Sequence, residues 1–147
     1  MLDVHSVIPI ATATACAGWL GLIVALFARP ALPIARTVAT VIIPGLLAVA
    51  YVVLFIRGWD ALHGVVGALA QLQALLADDA TFAAGWLHYL AFDLFVGAWI
   101  VHESDQFDLP RWLIVPCLVL TALAGPAGLL AFIVVRAVVP RLIATAP

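Results

Sequence analysis

The sequence predicts an all-α integral membrane protein: a bundle of four transmembrane helices with an amphipathic interfacial helix between spans two and three. Composition is the first observation. The chain is 67% hydrophobic and 10% charged with a mean hydropathy of +1.24, whereas a soluble domain sits nearer half apolar and a quarter charged. The second is length. Four apolar runs of about 20 residues, enough to cross a bilayer core, fill most of the chain. Little is left over, so one membrane domain over residues 1–147 is expected.

Span one is expected over about 5–28. The stretch before it, MLDVHSVIP, lacks the basic leader of a signal peptide, so the first apolar run reads as a span. Ala13, Ala17 and Gly21 recur at helical spacing and favour close approach of another helix. The loop ARPALPIAR, with Pro30 and Pro33 between Arg29 and Arg36, reads as a sharp interfacial turn. Span two is expected over about 37–56, kinked at Pro44–Gly45 and closed by Arg57.

The connection Gly58 to Thr81 places Leu62, Val65, Val66, Leu69, Leu72 and Leu76 on one helical face, with His63, Gly67 and Gln71 opposite. That pattern predicts an amphipathic helix over about 59–79 lying in the interface. Asp78–Asp79 ends it, and Asp79 or Thr81 is placed to cap the next helix. Span three is expected over about 82–102, with Trp86 and Trp99 as interfacial anchors. A short acidic loop leads to span four, about 111–136, kinked at Pro116 and in the GPAG sequence of Gly125–Gly128.

Net charge is −2, which argues against nucleic acid as a partner. All six cations are arginine. Four crossings would put Arg29, Arg36 and Arg111 on one side and Arg57, Arg136 and Arg141 on the other, a tie under the positive-inside rule. Cys16 and Cys117 fall at different depths, so no disulfide is expected. The histidines are scattered singly, so neither a metal site nor a cofactor is expected. The sequence holds no phosphate loop, nucleophile elbow or CxxC.

The most informative polar residue is Asp93, in the middle of GWLHYLAFDLFVGAWIVHES. A carboxyl at bilayer depth costs about 2.5–3.5 kcal/mol on insertion scales and faces a bundle interior or a cavity. Three roles are open to it: a protonated acid serving a substrate oxygen, a ligand for a hydroxyl, or a member of a proton path. The competing reading is an aspartate that fixes helix packing. Depth counting puts Thr14 and Thr121 level with Asp93 as hydrogen-bond partners, and Tyr51 level with His88. Tyr89 lies one turn from Asp93 on its face, whereas His88 is about 140° away. His88, Phe95 and His102 share another face.

The segments GWLHYLAFDLFVGAWIVHES and LPRWLIVPCLVLTALAGPAGLLAFIVVR, in that order around a short acidic loop, resemble the abscisic-acid-deficient-four-like membrane proteins. That family is linked in plants to neoxanthin formation, and this chain, without a transit-like extension, resembles a bacterial member. The resemblance implies a four-helix protein of a bacterial inner or intracytoplasmic membrane that interacts with a carotenoid or other isoprenoid. It also implies a redox-neutral isomerisation of a carotenoid epoxide. Asp93 is the motif-matching acid, with His88 or Tyr89 as helper. Tyr89, Tyr51, Thr14, Thr121, Phe95, Gly125 and Pro126 are expected to line a polyene groove opened by the Pro44 and Pro126 kinks. The extreme apolarity and the small residues of span one fit a second reading equally, a non-catalytic subunit of a larger membrane complex. A small-solute or proton carrier is a third, with only one well-furnished helix to support it.

Overall fold

The computed structural model describes residues 3–59 and 69–144, and every element there is helical. Helix α1 is Val4–Phe27, α2 is Arg29–Arg57, α3 is Leu69–Leu76, α4 is Asp79–Gln106, α5 is Arg111–Ala124 and α6 is Pro126–Ala144. Three of them, α1, α2 and α4, are long and apolar enough to cross a membrane. Of the expected amphipathic helix, residues 60–68 lie outside the described residues, among them Leu62, His63, Val65, Val66 and Gly67. Its C-terminal part is α3, whose Leu72 and Leu76 are exposed.

Helix α2 begins earlier than expected. A tight turn at Arg29–Ala31, an α-helical stretch Leu32–Thr37, a π-helical turn Val38–Ile42 and the α-helix Ile43–Arg57 follow without a break. Pro44 has no N–H to give to the preceding turn, and the π turn before it accommodates that gap.

Helix α4 is the central element. It has 28 residues, or about 42 Å of rise, against a hydrocarbon core of about 30 Å. Its ends therefore project into the interfaces, and Asp93 sits at its midpoint. Asp78 caps it, not Asp79 or Thr81: the Thr81 N–H donates to Asp78 Oδ1 at 2.8 Å, and the Thr81 hydroxyl donates to the same oxygen at 2.8 Å.

Lipid is as apolar as leucine, so these helices associate by close packing rather than by escape from water. The Trp19 indole of α1 lies on Gly97 of α4, where any Cβ would collide with the ring. Leu94 and Ile43 close on Gly18 in the same way. Across the α1–α4 seam the Trp86 indole N–H donates to Thr12 Oγ1 at 2.9 Å, and Trp99 meets Phe132 of α6 edge to face at 5.5 Å. Both tryptophans expected as interfacial anchors are thus partners in helix packing.

The fourth apolar stretch departs most from expectation. Arg111–Arg136 is not one kinked span; it breaks at Gly125, and its two halves fold back on each other. Gly125 takes φ +27°, a left-handed conformation that glycine adopts without cost. Gly128 then packs against the Thr121 backbone, with no room for a side chain between them. Three contacts with α4 fix the direction of each arm. Gly125 meets Asp93 at the midpoint, Phe132 meets Trp99 further along, and Arg136 NH1 pairs with Glu103 Oε2 at 3.0 Å near the end. Helix α6 therefore runs parallel to α4 from its middle back to its Glu103 end. Helix α5 begins just beyond that end and, with 14 residues, rises only about 21 Å. The pair is a re-entrant hairpin whose tip is level with Asp93, and Arg136 returns to the side of Arg111.

Candidate functional site

Two faces of α4 carry the groups of interest. The first holds Asp93. Its carboxyl faces the hairpin tip: a Cβ built on Gly125 would lie 2.8 Å from Oδ1 and 3.1 Å from Oδ2. Oδ2 is buried and has no hydrogen-bond partner among the described residues. Tyr89, one turn earlier, brings its hydroxyl towards the same carboxyl. No ion pair engages Asp93 among the described residues.

The threonines expected beside Asp93 serve other needs. Thr14 donates its hydroxyl proton to the Ile10 carbonyl and Thr121 to the Cys117 carbonyl, each at 2.8 Å. This bonding to the preceding turn is what an isolated threonine does in an apolar helix. Thr121 is fully buried against Gly128 inside the hairpin, and Thr14 borders a groove along α1 and α2. Pro126 opens α6 and is exposed at the tip.

The second face carries an aromatic stripe. His88, Phe92, Phe95, Trp99 and His102 follow at steps of four and three residues, which aligns them along one side of the helix. His88 stacks on Phe92 at 4.4 Å between centroids and tilts against Tyr51 of α2 at 5.9 Å. Tyr51 in turn stacks on Phe55 at 5.5 Å. Between α2 and α4 lies an apolar groove of about 330 Å³ lined by Pro44, Ala48, Ala91, Phe92 and Phe95. Phe95 also borders a second compartment of about 390 Å³, whose walls include Arg36, Thr40, Trp99 and His102. The two compartments lie one after the other between α2 and α4, with Phe95 as the wall they share.

The structure thus divides the expected site. Tyr89, Gly125 and Pro126 belong with Asp93 at the hairpin tip. His88, Tyr51 and Phe95 belong to the aromatic groove on another face. Arg36, Thr40 and Phe92 escaped sequence reasoning, although the i, i+4, i+7 spacing of Phe92 with His88 and Phe95 was a readable signal. Among the described residues no group of three His, Cys, Asp or Glu side chains could hold a metal ion. Cys16 and Cys117 are both free.

A family model described as ABA DEFICIENT 4-like matches residues 7–132. The match takes in α1, α2, α4, α5 and the first part of α6, and so includes both the hairpin tip and the aromatic groove. Neither a curated protein nor a solved structure matches the chain.

Proposed function

The chain belongs to the ABA DEFICIENT 4-like family, and from that premise we propose that it binds a carotenoid or other isoprenoid in the α2–α4 groove. Location in a bacterial inner or intracytoplasmic membrane is part of the same proposal. The observation that carries it is the groove itself: an apolar, aromatic-walled channel at bilayer depth, bordered by Phe92 and Phe95, which are 60% and 50% exposed. Flat rings along one line offer a rigid polyene or a methyl-branched chain continuous contact at little entropic cost. Recovery of a bound isoprenoid with the protein from mild detergent tests the reading.

A finer reading is a redox-neutral isomerase acting on a carotenoid epoxide, supported by the unpartnered Oδ2 of Asp93. In such a step a carboxylic acid donates its proton to the epoxide oxygen and the ring C–O bond breaks. A base then removes a proton from the chain carbon next to the ring, and that electron pair forms the new double bond. No oxidant is needed. Here Asp93 is the acid and Tyr89 the group beside it, and the reacting ring would approach at Gly125 rather than through the aromatic groove. Asp93→Asn should abolish such turnover while preserving the fold; full turnover in that variant would exclude the acid role.

A non-catalytic subunit is the alternative, supported by a groove of about 450 Å³ along α1 and α2 bordered by Ala17, Gly18, Gly21 and Ala35. Small residues in that arrangement admit a partner helix. Recovery from native membranes with a fixed set of larger subunits, and without an isoprenoid, would favour it.

A further inference from the structure

We propose that the occupant of the α2–α4 groove is an isoprenoid with an anionic phosphate head, seated on Arg36 and His102. This rests on the reading of that groove as an isoprenoid site and specifies which isoprenoid it takes.

The groove is polar at one end only. Its outer compartment is bordered by Arg36, Thr37, Thr40 and His102, and no carboxylate lines it. Arg36 forms no ion pair among the described residues. Arg29, Arg111 and Arg136, near the same end, have acidic neighbours. Arg136 pairs with Glu103, while Arg29 and Arg111 border a small pocket together with Asp105 and Asp108. Arg36 instead faces a compartment without a carboxylate of its own.

Its neighbours complete the polar end. The Gln106 side-chain amide donates to His102 Nε2 at 3.0 Å. The other ring nitrogen, Nδ1, is not engaged by that contact. The Thr37 and Thr40 hydroxyl protons go to the carbonyls of Pro33 and Arg36, at 3.0 Å and 2.8 Å. What remains is the Arg36 guanidinium fork with the His102 ring beside it. Arginine meets a phosphate through two parallel N–H bonds, and the contact strengthens as water is excluded.

The tail fits the rest of the groove. From Arg36 to Ala48 on α2, and from His102 to Ala91 on α4, the two compartments together span about 17 Å. That length suits a farnesyl chain. The inner compartment, between Pro44 and Phe92, has an apolar lining. An uncharged carotenoid would leave the guanidinium unused.

The test uses the full chain in phosphatidylcholine nanodiscs, with farnesyl phosphate as probe and binding counted by native mass spectrometry. The expected result is one saturable site. Farnesol, which lacks the charge, binds more weakly by about tenfold or more. Arg36→Gln weakens farnesyl phosphate by a similar factor, Arg36→Lys by less, and Arg29→Gln not at all. Ala48→Phe, which fills the tail compartment without touching the charge, also abolishes binding, so the result does not depend on one variant's folding. Equal binding of farnesol, or unchanged binding in Arg36→Gln, overturns the proposal. Displacement by phosphatidylglycerol at equal mole fraction also overturns it, by making the site one for bilayer lipid. Displacement by inorganic phosphate overturns it as well, because the tail would then contribute nothing. A wild-type groove that takes an uncharged carotenoid but not farnesyl phosphate ends this inference and leaves the wider reading standing. A groove that takes neither ends both.

Discussion

Asp93 and Gly125 meet at the midpoint of α4, with the Asp93 carboxyl lying where a side chain on residue 125 would have to go. Position 125 is thereby constrained twice, by its φ of +27° and by the carboxyl above it. Gly125→Ala is expected to cost about 1 to 2 kcal/mol from backbone conformation alone, plus the cost of moving Asp93. Thermal unfolding of Gly125→Ala, Asp93→Ala and the double variant separates the two. The double variant should recover the collision but not the backbone strain, and strictly additive losses would refute the contact.

The outer end of the hairpin is held by Arg136, which pairs with Glu103 at 3.0 Å and lies over the Phe107 ring at 4.5 Å. Glu103 is 14% exposed and Arg136 38%, so solvent screens the pair only in part. Arg136→Gln should lower stability by about 1 kcal/mol, and Arg136→Lys by less. A salt titration checks the ionic part, since added salt should narrow the gap between wild type and Arg136→Gln.

The hairpin also fixes sidedness. With Arg136 returned to the side of Arg29, Arg36 and Arg111, the arginine tie is broken, and the positive-inside rule predicts that this side faces inward. In a background without Cys16 and Cys117, cysteines placed at Asp108 and Ala137 should react with an impermeant thiol reagent from the same side. Labelling of Asp108→Cys and Ala137→Cys from opposite sides would restore a fourth crossing.

Asp78 gives a pH dependence outside the bilayer. The Thr81 backbone N–H, and then its hydroxyl, hold the Asp78 carboxyl below the usual carboxylate range. A group lowered in the folded state contributes stability that is present above its unfolded value and lost as pH falls through the folded one. Acidification below about pH 4 should therefore fray the start of α4. Hydrogen exchange at the Thr81 and Phe82 amides reads this directly. Asp78→Ala should cost about 1 kcal/mol at neutral pH and remove the acid dependence of that exchange.

Much of the fold was legible from hydropathy. Spans one and three lie within a few residues of α1 and α4, and span two was found although the helical turn at Pro30 and Pro33 extends α2 back to Arg29. The fourth stretch misled because hydropathy counts apolar residues and not their direction. A crossing helix and a hairpin that enters and leaves have the same composition, and GPAG serves as a kink or as a tip. The Glu103–Arg136 pair distinguishes them, but only once the two are known to be close. Depth counting put Thr14 and Thr121 level with Asp93, yet each turns its hydroxyl to its own preceding turn. Depth follows from helical rise; the direction a residue faces depends on which helices pack together, and the hairpin changed that.

An isoprenoid in the α2–α4 groove is the proposal most open to direct test. The most direct test is to purify wild type and Ala48→Phe side by side from a carotenoid-producing host, then extract and quantify what each retains. Wild type should retain a stoichiometric isoprenoid that is lost in Ala48→Phe and kept in Asp93→Asn. Equal isoprenoid in wild type and Ala48→Phe, or none in either beside a fixed set of co-purifying membrane subunits, would contradict it.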